Sequence, residues 1–537
     1  MPHHRSHLSI LEASAALYPS APVFKIPVLD TVGAVSTWRS VSYLQFRRDV
    51  ERFARYWSRI LQADGVPQKS VVGLWLGGMT YDDVLHIYGL SRAGYVPQLF
   101  SLRLPNPDVV FELLHKANAK ALIYDSSFAS AMRDSPLPTH VATDGARITD
   151  CSQPLSVLSE PSNGDDLVFI FHTSGSTSGS PKLVPCNYTW LNTIIAKARQ
   201  VSLPADPRKQ DVSTWMGSMC HIGQTFMLIG SLQHGSCTIQ PSQIAFSSDE
   251  LVDMVLRCNL NRLHQFATFL GIHLRNSRLN PKLVAILQSM DQVLYSGLPL
   301  PREEEQWAIK SGLRLTNLFG STECGAMLLS VGGTGPYAQA LRPLEGVSYG
   351  FLPIAPKAKT ESGHQSVNAD LLELVILSNS GDCPDRSLRQ SDGHFHTGDL
   401  FLQVAPGCYV SRGRNDDWIK SENSLRCDTK AIEDNVRSMC GDLISECIVV
   451  GNGRPSPVLF IEPASVDMDH TKLKNQILRK TRQFHARRYL HERITSPNFI
   501  VVVPPKTLPR TATKGNIRRR AVEEQFKAQL DRLYSTA

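Results

Sequence analysis

Apolar runs of strand length alternate with amphipathic segments from residue 41 onwards, and this alternation restricts the fold more than any other feature. Between Val41 and Gly65, apolar residues recur every three or four positions, which predicts a helix that Ser42 caps and Gly65 ends. Strands and helices are then predicted in turn at Val71–Leu76, residues 81–93, residues 95–99, from Asn106 and Pro107, and at Ala121–Tyr124. Parallel strands joined by crossover helices have this spacing, so the pattern predicts an α/β fold.

The chain has 537 residues, more than one hydrophobic core supports, so two or more domains are expected. From about residue 332 to 414 short strands separated by Gly, Pro and Ser predict a β-rich subdomain. Beyond residue 415 two basic stretches dominate, at residues 472–493, which have a helical pattern, and at residues 506–520. We expect a large domain of parallel-rich sheets with helices over residues 1–414, joined by a hinge to a small α+β domain over residues 415–537.

Composition excludes several classes of protein. Hydrophobic residues make up 42% and charged residues 20% of the chain, which is typical of a globular protein rather than a disordered or fibrous one. The apolar runs are far shorter than a membrane span, and no signal peptide is evident, so a cytoplasmic protein without a membrane partner is predicted. The 11 cysteines include no C-x-x-C pair. The basic stretches lack interleaved aromatic residues, so a nucleic-acid partner is not expected.

The most informative segment is a polar loop that follows the apolar run at residues 167–171. Its members are Thr173, Ser174, Gly175, Ser176, Thr177, Ser178, Gly179, Ser180, Pro181 and Lys182. Small residues let backbone N–H groups approach an anion, and a lysine adds a positive charge, so the segment predicts a phosphate site. The glycine spacing and Pro181 exclude a Walker loop. A flexible Ser/Gly linker is the alternative, and the apolar residues on both sides disfavour it.

This loop resembles the phosphate-binding motif of the adenylate-forming superfamily, which includes acyl-CoA synthetases, luciferases and peptide-synthetase adenylation domains. Four further motifs of that family follow in its order, at residues 317–323 (NLFGSTE), 397–399 (TGD), 413–416 (GRND) and 509–518 (PRTATKGNIR). Phe319 stands where the family usually has tyrosine. With these ordered motifs, the chain is identified as a member of the superfamily.

The resemblance implies a reaction in which a carboxylate attacks the α-phosphate of ATP, giving an acyl-adenylate and pyrophosphate. Two anions must meet, so catalysis has to neutralise charge and hold the reactants in line. By resemblance, Lys514 bridges the carboxylate and the α-phosphate, Lys182 belongs to the phosphate loop, and Thr322 contacts a phosphate. Glu323 is implied to hold Mg²⁺, a cation that prefers oxygen ligands.

The other implied roles concern the nucleoside and the hinge. Asn317, Leu318 and Phe319 are implied to line the adenine and aryl pockets. Asp399 is implied to accept the ribose hydroxyls, with Arg414 nearby. Asp416 is the implied hinge, about which the small domain rotates between adenylation and transfer.

The acyl group is expected near His221, which matches the position of an aromatic or histidine residue beside the acyl-adenylate in relatives. A structural histidine is the alternative reading. Relatives that select α-amino acids carry an aspartate near this position for the substrate ammonium, and this chain has none there. The resemblance therefore implies a small non-amino carboxylic acid, aryl or aliphatic, in a pocket that includes Phe266, Gly297 and Leu298.

The acceptor is less well specified. Residues 101–106 and the order Lys514–Gly515 are most similar to fungal non-ribosomal-peptide-synthetase-like proteins, including adenylate-forming reductases. No Gly-x-x-Ser carrier site or nicotinamide-binding loop follows the lysine motif, so the expectation is a freestanding enzyme or an excised domain. Transfer to carrier-bound phosphopantetheine is predicted, and CoA ligation or a degenerate nucleotide-binding homologue are the alternatives. The basic stretch at residues 472–493 suits docking of an acidic carrier protein or CoA, or is a solvated helix face.

Overall fold

The structure is a computed structural model that describes residues 5–102, 104, 106–133, 135–149, 154–155, 161, 163–173, 182–354, 371–415, 418–420, 426–486, 488, 492–510 and 517–535. Its helices are α1 (His7–Leu17), α2 (Tyr43–Ala63), α3 (Tyr81–Arg92), α4 (Pro107–Lys116), α5 (Tyr188–Val201), α6 (Ile222–Gln233), α7 (Ser248–Cys258), α8 (Ala267–Ser277), α9 (Pro281–Ser289), α10 (Arg302–Lys310), α11 (Thr429–Cys440), α12 (His470–Ala486), α13 (Arg519–Gln525) and α14 (Lys527–Ser535). None of these helices combines the length and the apolar character of a membrane span, as far as the described part of the chain shows.

The strands in the described ranges fall into four sheets. They are β1 (Pro22–Leu29), β2 (Val35–Ser42), β3 (Val71–Leu76), β4 (Val96–Ser101), β5 (Ala121–Tyr124), β6 (Thr139–Val141), β7 (Leu167–Thr173), β8 (Lys182–Asn187), β9 (Val212–Thr214), β10 (Cys237–Ile239), β11 (Arg262–Phe266), β12 (Gln292–Ser296), β13 (Leu315–Ser321), β14 (Gly325–Ser330), β15 (Leu341–Pro343), β16 (Tyr349–Pro353), β17 (Leu371–Ile376), β18 (Phe395–Ala405), β19 (Cys408–Arg414), β20 (Trp418–Lys420), β21 (Arg426–Asp428), β22 (Ile444–Val450), β23 (Val458–Pro463) and β24 (Ile500–Val502).

The predicted alternation near the N-terminus forms a six-stranded sheet of order β6-β5-β3-β4-β7-β8. All neighbours in it are parallel except β7 and β8, which form an antiparallel hairpin. Its neighbour α2 begins where the sequence predicts, because the Ser42 side chain accepts a hydrogen bond from the Gln45 backbone. The apolar face of α2 is buried, with Phe46, Phe53 and Trp57 fully covered. Each such side chain contributes about 1.5–3 kcal/mol by leaving water.

The second large sheet has 13 strands among the described residues, in the order β16-β17-β18-β19-β15-β14-β13-β12-β11-β9-β10-β1-β2. Strands β9 to β13 are parallel to their neighbours within this group, and the sheet turns antiparallel from β14 onwards. The stretch expected to be β-rich does form strands. Because β15 pairs with both β14 and β19, these strands extend the central sheet instead of forming a sheet of their own.

The C-terminal part has a three-stranded sheet of order β22-β23-β24. Apolar residues of α11 and α12 cover it, including Ile432, Val436, Leu473 and Ile477. The helix predicted over residues 472–493 ends at Ala486, so its predicted C-terminus was wrong. The Arg493 guanidinium donates to the Ala486 carbonyl at 3.2 Å, which satisfies an end carbonyl of the helix.

Two buried histidines make the fold sensitive to acid. Burial lowers the pKa of His7 to about 3, and burial with the nearby Arg262 charge lowers the pKa of His264 to about 3. Neither His7 ring nitrogen has a hydrogen-bond partner in the described residues. Both side chains stay neutral in the folded state, whereas in the unfolded chain they bind protons below about pH 6.5. Their stabilisation is therefore present above pH 6.5 and is lost as the pH falls towards 3.

We expect His7→Leu to reduce the acid sensitivity of folding. Between about pH 6 and 4 each histidine lowers the free energy of unfolding by roughly 1.4 kcal/mol per pH unit, and His7→Leu removes one such contribution. Urea unfolding at several pH values measures this slope. An unchanged slope would contradict the assignment of His7 as a buried neutral group.

Candidate active site

One cleft of 3190 Å³ collects the residues that the motifs indicate. Those that line it are Thr173, Lys182, His221, Phe266, Gly297, Leu298, Asn317, Leu318, Phe319, Thr322, Glu323, Asp399 and Arg414. Ser174, Gly175, Ser176, Thr177, Gly179, Asp416 and Lys514 lie outside the described residues. Segments separated by more than 200 residues in sequence therefore meet on one cavity.

The hairpin of β7 and β8 carries the polar loop. Thr173 and Lys182 are paired across the two strands, so both ends of residues 174–181 meet at the cleft. The apolar residues before the loop, Val168 to Phe171, are buried in the sheet. Both ends of the predicted phosphate segment thus belong to a packed hairpin. A flexible linker would not be held in this way.

His172 supports this hairpin, although no motif marks it as a functional residue. Its Nδ1 lies 2.9 Å from the Leu99 carbonyl, so Nδ1 carries the proton and Nε2 accepts from the Gln98 amide at 3.1 Å. Its ring stacks on Phe100 with 4.3 Å between centroids. Burial lowers the pKa of His172 to about 4, helped by the nearby His221. His172 therefore lines the cleft as an uncharged imidazole at pH 7.

Glu323 lies in the tight turn between β13 and β14. Ser321 pairs with Gly325 across the turn, and the Cys324 backbone N–H donates to the Ser321 hydroxyl at 3.3 Å. Gly325 has a φ of +64°, which glycine adopts without strain. The Trp190 indole donates to the Glu323 carbonyl at 2.9 Å. These contacts fix the backbone of Glu323, which lines the cleft.

Asn317, Leu318 and Phe319 precede this turn on β13. The Asn317 N–H donates to the Ser330 hydroxyl at 3.0 Å. Leu318 is only 4% exposed, so its side chain belongs mainly to the core beneath the cleft. The Phe319 ring meets Phe401 edge-on at 5.2 Å. The aromatic contact holds this wall of the cleft against β18.

Asp399 and Arg414 are cross-strand partners on β18 and β19, with 3.4 Å between the guanidinium and the carboxylate. The Asp399 N–H donates to the Thr397 hydroxyl, which in turn donates to the Leu374 carbonyl at 2.8 Å. The Gly398 N–H donates to Glu373 at 3.1 Å. The carboxylate of Asp399 is thereby held on a rigid strand pair at the cleft.

His221 also lines the cleft, and it is an exposed residue immediately before α6. The loop before it is tied to the end of β3, since the Ser218 hydroxyl donates to the Gly77 carbonyl at 2.7 Å. The Met219 N–H donates to the Gly78 carbonyl at 2.8 Å. A Cβ at Gly78 would lie 2.2 Å from the Ser218 hydroxyl, so only glycine permits this approach.

The Phe266 ring forms an apolar slot beside His221. A Cβ at Gly217 would lie 2.9 Å from this ring, and a Cβ at Gly297 would lie 3.2 Å from it. Leu298 is 58% exposed and faces the same cleft. Residues 216–224, 266–269 and 295–300, which supply this part of the cleft lining, contain no negatively charged residue. An uncharged acyl group suits these surroundings.

The donor set at the cleft suits magnesium bound together with a triphosphate. No group of three or more His, Cys, Asp or Glu residues in the described ranges could hold a metal ion alone. Mg²⁺ is commonly bound by one or two carboxylates with substrate phosphates and water completing its shell. Glu323, close to the phosphate hairpin on the same cleft, fits that arrangement.

Residues of the C-terminal part also line the cleft. Among them are Ile517, Arg518, Arg519 and Arg520. Arg510 pairs with Ile517 in an antiparallel bridge, and the Arg518 N–H donates to the Pro509 carbonyl at 2.8 Å. The two ends of the segment that contains Lys514 are therefore held together beside the cleft.

Comparison with protein families gives two matches along the chain. A family model described as AMP-binding enzyme matches residues 11–350, and one described as AMP-binding enzyme C-terminal domain matches residues 416–537. The chain is 35% identical to the AMP-binding domain-containing enzyme iboA of Amanita muscaria (strain Koide BX008), covering 94% of this chain and 98% of that protein. It is 24% identical to the adenylate-forming reductase Nps10 of Heterobasidion annosum, covering 95% of this chain and 48% of the reductase. The chain thus spans about half the length of that reductase.

Solved structures share the fold. An o-succinylbenzoate CoA synthetase (MenE) from Bacillus subtilis, in complex with its acyl-adenylate intermediate, aligns with a TM-score of 0.73 at 16% identity, covering 96% of this chain and 97% of the other. The anthranilate CoA ligase AuaEII in complex with anthranoyl-AMP aligns with a TM-score of 0.70 at 18% identity, covering 98% of both chains.

Proposed function

Because the chain belongs to the adenylate-forming family of AMP-binding enzymes, we propose that it activates a non-amino carboxylic acid with ATP and passes the acyl group to a thiol. The observation that carries this proposal is the convergence of the β7–β8 hairpin, the Glu323 turn and Asp399 on one cleft. A triphosphate needs cationic and N–H donors at its phosphates and acceptors at its ribose, and these segments supply both.

Charge neutralisation is the main task in this mechanism. Lys182 and the loop before it receive the phosphates, and Lys514 meets the carboxylate and the α-phosphate as the negative charge moves onto the leaving pyrophosphate. Asp399 accepts the ribose hydroxyls and fixes the nucleotide relative to the acid. When bound, Mg²⁺ supplies further positive charge at the phosphates, with Glu323 as its protein ligand.

The acid is proposed to be aryl or aliphatic and to lie between His221, Phe266 and Leu298. A desolvated ammonium needs a carboxylate partner, and residues 216–224, 266–269 and 295–300 contain none. Glu305, which lines the same cleft, already accepts a hydrogen bond from the Tyr295 hydroxyl at 3.1 Å. Related structures bind o-succinylbenzoate and anthranilate as adenylates, which supports a small acid as the class of substrate.

Carrier-bound phosphopantetheine is the proposed acceptor, supported by the similarity to adenylate-forming reductases. Ligation to free CoA is the alternative, supported by the similarity to CoA ligases. Incubation with ATP and the acid, followed by addition of CoA or of a phosphopantetheinylated carrier protein, distinguishes them by the thioester formed. Secondary metabolism is the proposed setting, and a cytoplasmic location stays a prediction.

Pyrophosphate exchange into ATP tests the first step. We expect exchange with at least one acid from a panel of aryl, aliphatic, keto and α-amino acids, and a preference for an acid without an α-ammonium. A preference for an α-amino acid would contradict the pocket argument. Exchange with none of these classes, together with ATP binding, would favour a degenerate nucleotide-binding homologue.

Gly217→Ala should weaken binding of the acid and leave binding of the nucleotide unchanged. Gly217 does not have a left-handed φ, so alanine fits the backbone, but its Cβ would press on the Phe266 ring. We expect the KM for the acid to rise about tenfold or more, as pocket changes of one methyl commonly do. The KM for ATP should stay unchanged, and an equal rise in both KM values would place the effect outside the acyl slot.

A further inference from the structure

A buried ion pair lies behind the Glu323 turn. Lys197 on α5 and Asp382, between β17 and β18, are 2.6 Å apart, and neither side chain is exposed. Moving two charges from water into a protein interior costs about as much as their attraction returns, so such a pair adds little net stability. Its other contacts indicate what it does.

Two residues of α5 hold consecutive carbonyls of the turn. The Lys197 ammonium donates to the Cys324 carbonyl at 2.6 Å, and the Trp190 indole donates to the Glu323 carbonyl at 2.9 Å. Trp190 and Lys197 are two helical turns apart, so they lie on one face of α5. With both carbonyls fixed, the Glu323 backbone has one orientation relative to the cleft.

The Asp382 carboxylate is also fixed in place by hydrogen bonds of its own. It accepts hydrogen bonds from the Tyr349 hydroxyl and, at 2.6 Å, from the Ser380 hydroxyl. A Cβ at Gly381 would lie 2.2 Å from the Thr193 hydroxyl, so this connection packs directly against α5. The carboxylate therefore fixes the Lys197 ammonium in the one place where it reaches the turn.

The elements that meet here are those of the nucleotide site. Helix α5 follows β8 without a break, and β8 begins at Lys182, where the polar loop ends. Asp382 lies in the connection that follows β17, and β17 pairs with β18, which carries Asp399. The pair thus joins the phosphate hairpin, the Glu323 turn and the Asp399 strand through side chains that do not reach the cleft.

We propose that Lys197 and Asp382 are positioning residues for the magnesium–triphosphate site, acting through the Glu323 turn. This inference rests on the proposed function of Glu323. Supporting residues behind a metal ligand commonly contribute about 10- to 100-fold in metal affinity. Loss of the pair should therefore weaken magnesium-dependent nucleotide binding and leave the acyl slot intact.

The test uses the double variant Lys197→Met/Asp382→Asn, which leaves no unpaired charge in the interior. Calorimetric titration with Mg²⁺ in the presence of α,β-methylene-ATP gives the half-saturating Mg²⁺ concentration without requiring turnover. We expect this concentration to rise about tenfold or more in the double variant. Glu323→Gln should shift it in the same direction. In pyrophosphate exchange, kcat should fall while the KM for the acid stays within about twofold.

The matched control is the double variant Arg262→Met/Asp211→Asn, which removes a second buried ion pair near the C-terminal end of α5 and likewise leaves no unpaired charge in the interior. Asp211 pairs with the buried Arg262 at 2.8 Å, and Arg262 donates to the Val201 and Ser202 carbonyls rather than to the turn. This variant should lower the unfolding temperature without changing the half-saturating Mg²⁺ concentration.

The outcomes separate the two hypotheses. If Glu323→Gln shifts the Mg²⁺ dependence and the double variant affects only the unfolding temperature, the positioning role is wrong and the proposed function stands. The assignment of Glu323 is wrong if the wild-type protein binds the analogue without any dependence on Mg²⁺, or if Glu323→Gln does not change the half-saturating Mg²⁺ concentration. In either case the positioning role is wrong as well.

Discussion

Lys514→Ala is expected to reduce pyrophosphate exchange by about 100- to 1000-fold, the usual effect of removing one group that stabilises transition-state charge. A carboxylate and a phosphate repel each other as they approach, and the proposed role of the Lys514 ammonium is to neutralise both. The structure holds the ends of its segment together through the Arg510–Ile517 bridge, and the residues that follow line the cleft.

The control for this variant is Lys527→Ala. Lys527 is an exposed lysine at the start of α14, so its removal changes the net charge equally and should leave exchange unchanged. A second measurement starts from the chemically prepared acyl-adenylate, whose transfer to the thiol should persist in Lys514→Ala, since the proposed role belongs to adenylation. Exchange at more than half the wild-type rate would contradict the assignment.

The fold is largely predictable from the sequence because its signals are local. Ser42, the apolar stripe of α2 and the run Val71–Leu76 all act over a few residues, and the structure has these elements where they are expected. The predicted α/β class and the predicted family are confirmed by the similar structures and the family matches. Ordered motifs carried the family prediction, since each requires a fixed residue type at a fixed spacing.

Features that depend on distant pairing were not predictable in this way. Lys197 and Asp382 are 185 residues apart, and each looks like an ordinary polar residue in its own segment. The pairing of β15 with both β14 and β19 likewise depends on tertiary structure.

The candidate site likewise has some features that local motifs predict and others that depend on tertiary packing. The motifs indicate which residues to examine, and the structure brings those it describes to one cleft. The neutral state of His172 depends on its burial in the packed sheet, and its tautomer depends on Gln98 and Leu99 on a neighbouring strand, so neither can be deduced from the local sequence. The domain boundary near residue 415, the hinge at Asp416 and the individual catalytic roles stay predictions.

Arg510→Met should destabilise the C-terminal part and reduce exchange together. Glu462 on β23 is 1% exposed and accepts from Arg510 at 2.7 and 3.1 Å and from the Leu508 N–H at 2.9 Å. Burial alone raises the pKa of Glu462, but the Arg510 and backbone hydrogen bonds outweigh burial and lower it. Removing the guanidinium leaves a buried carboxylate without its partner, which typically costs about 3–5 kcal/mol.

The pH dependence follows from the direction of this pKa shift. A carboxyl group with a lowered pKa in the folded state stabilises the protein above its unfolded pKa of about 4.3 and loses that contribution as the pH falls through the folded value. Urea unfolding should therefore show the largest difference between Arg510→Met and wild type near neutral pH, shrinking in acid. Arg520→Met is the control, because its pair with Glu524 is solvent-exposed and contributes about 0–1 kcal/mol.

Exchange kinetics connect the Arg510 contact to Lys514. Arg510 lies at one end of the segment that contains Lys514, so its loss should reduce exchange under conditions where the variant remains folded. In a Lys514→Ala background the same substitution should reduce exchange no further, because the group that the contact holds in place is already absent. Equal reductions in both backgrounds would show that Arg510 acts on the reaction by a route independent of Lys514.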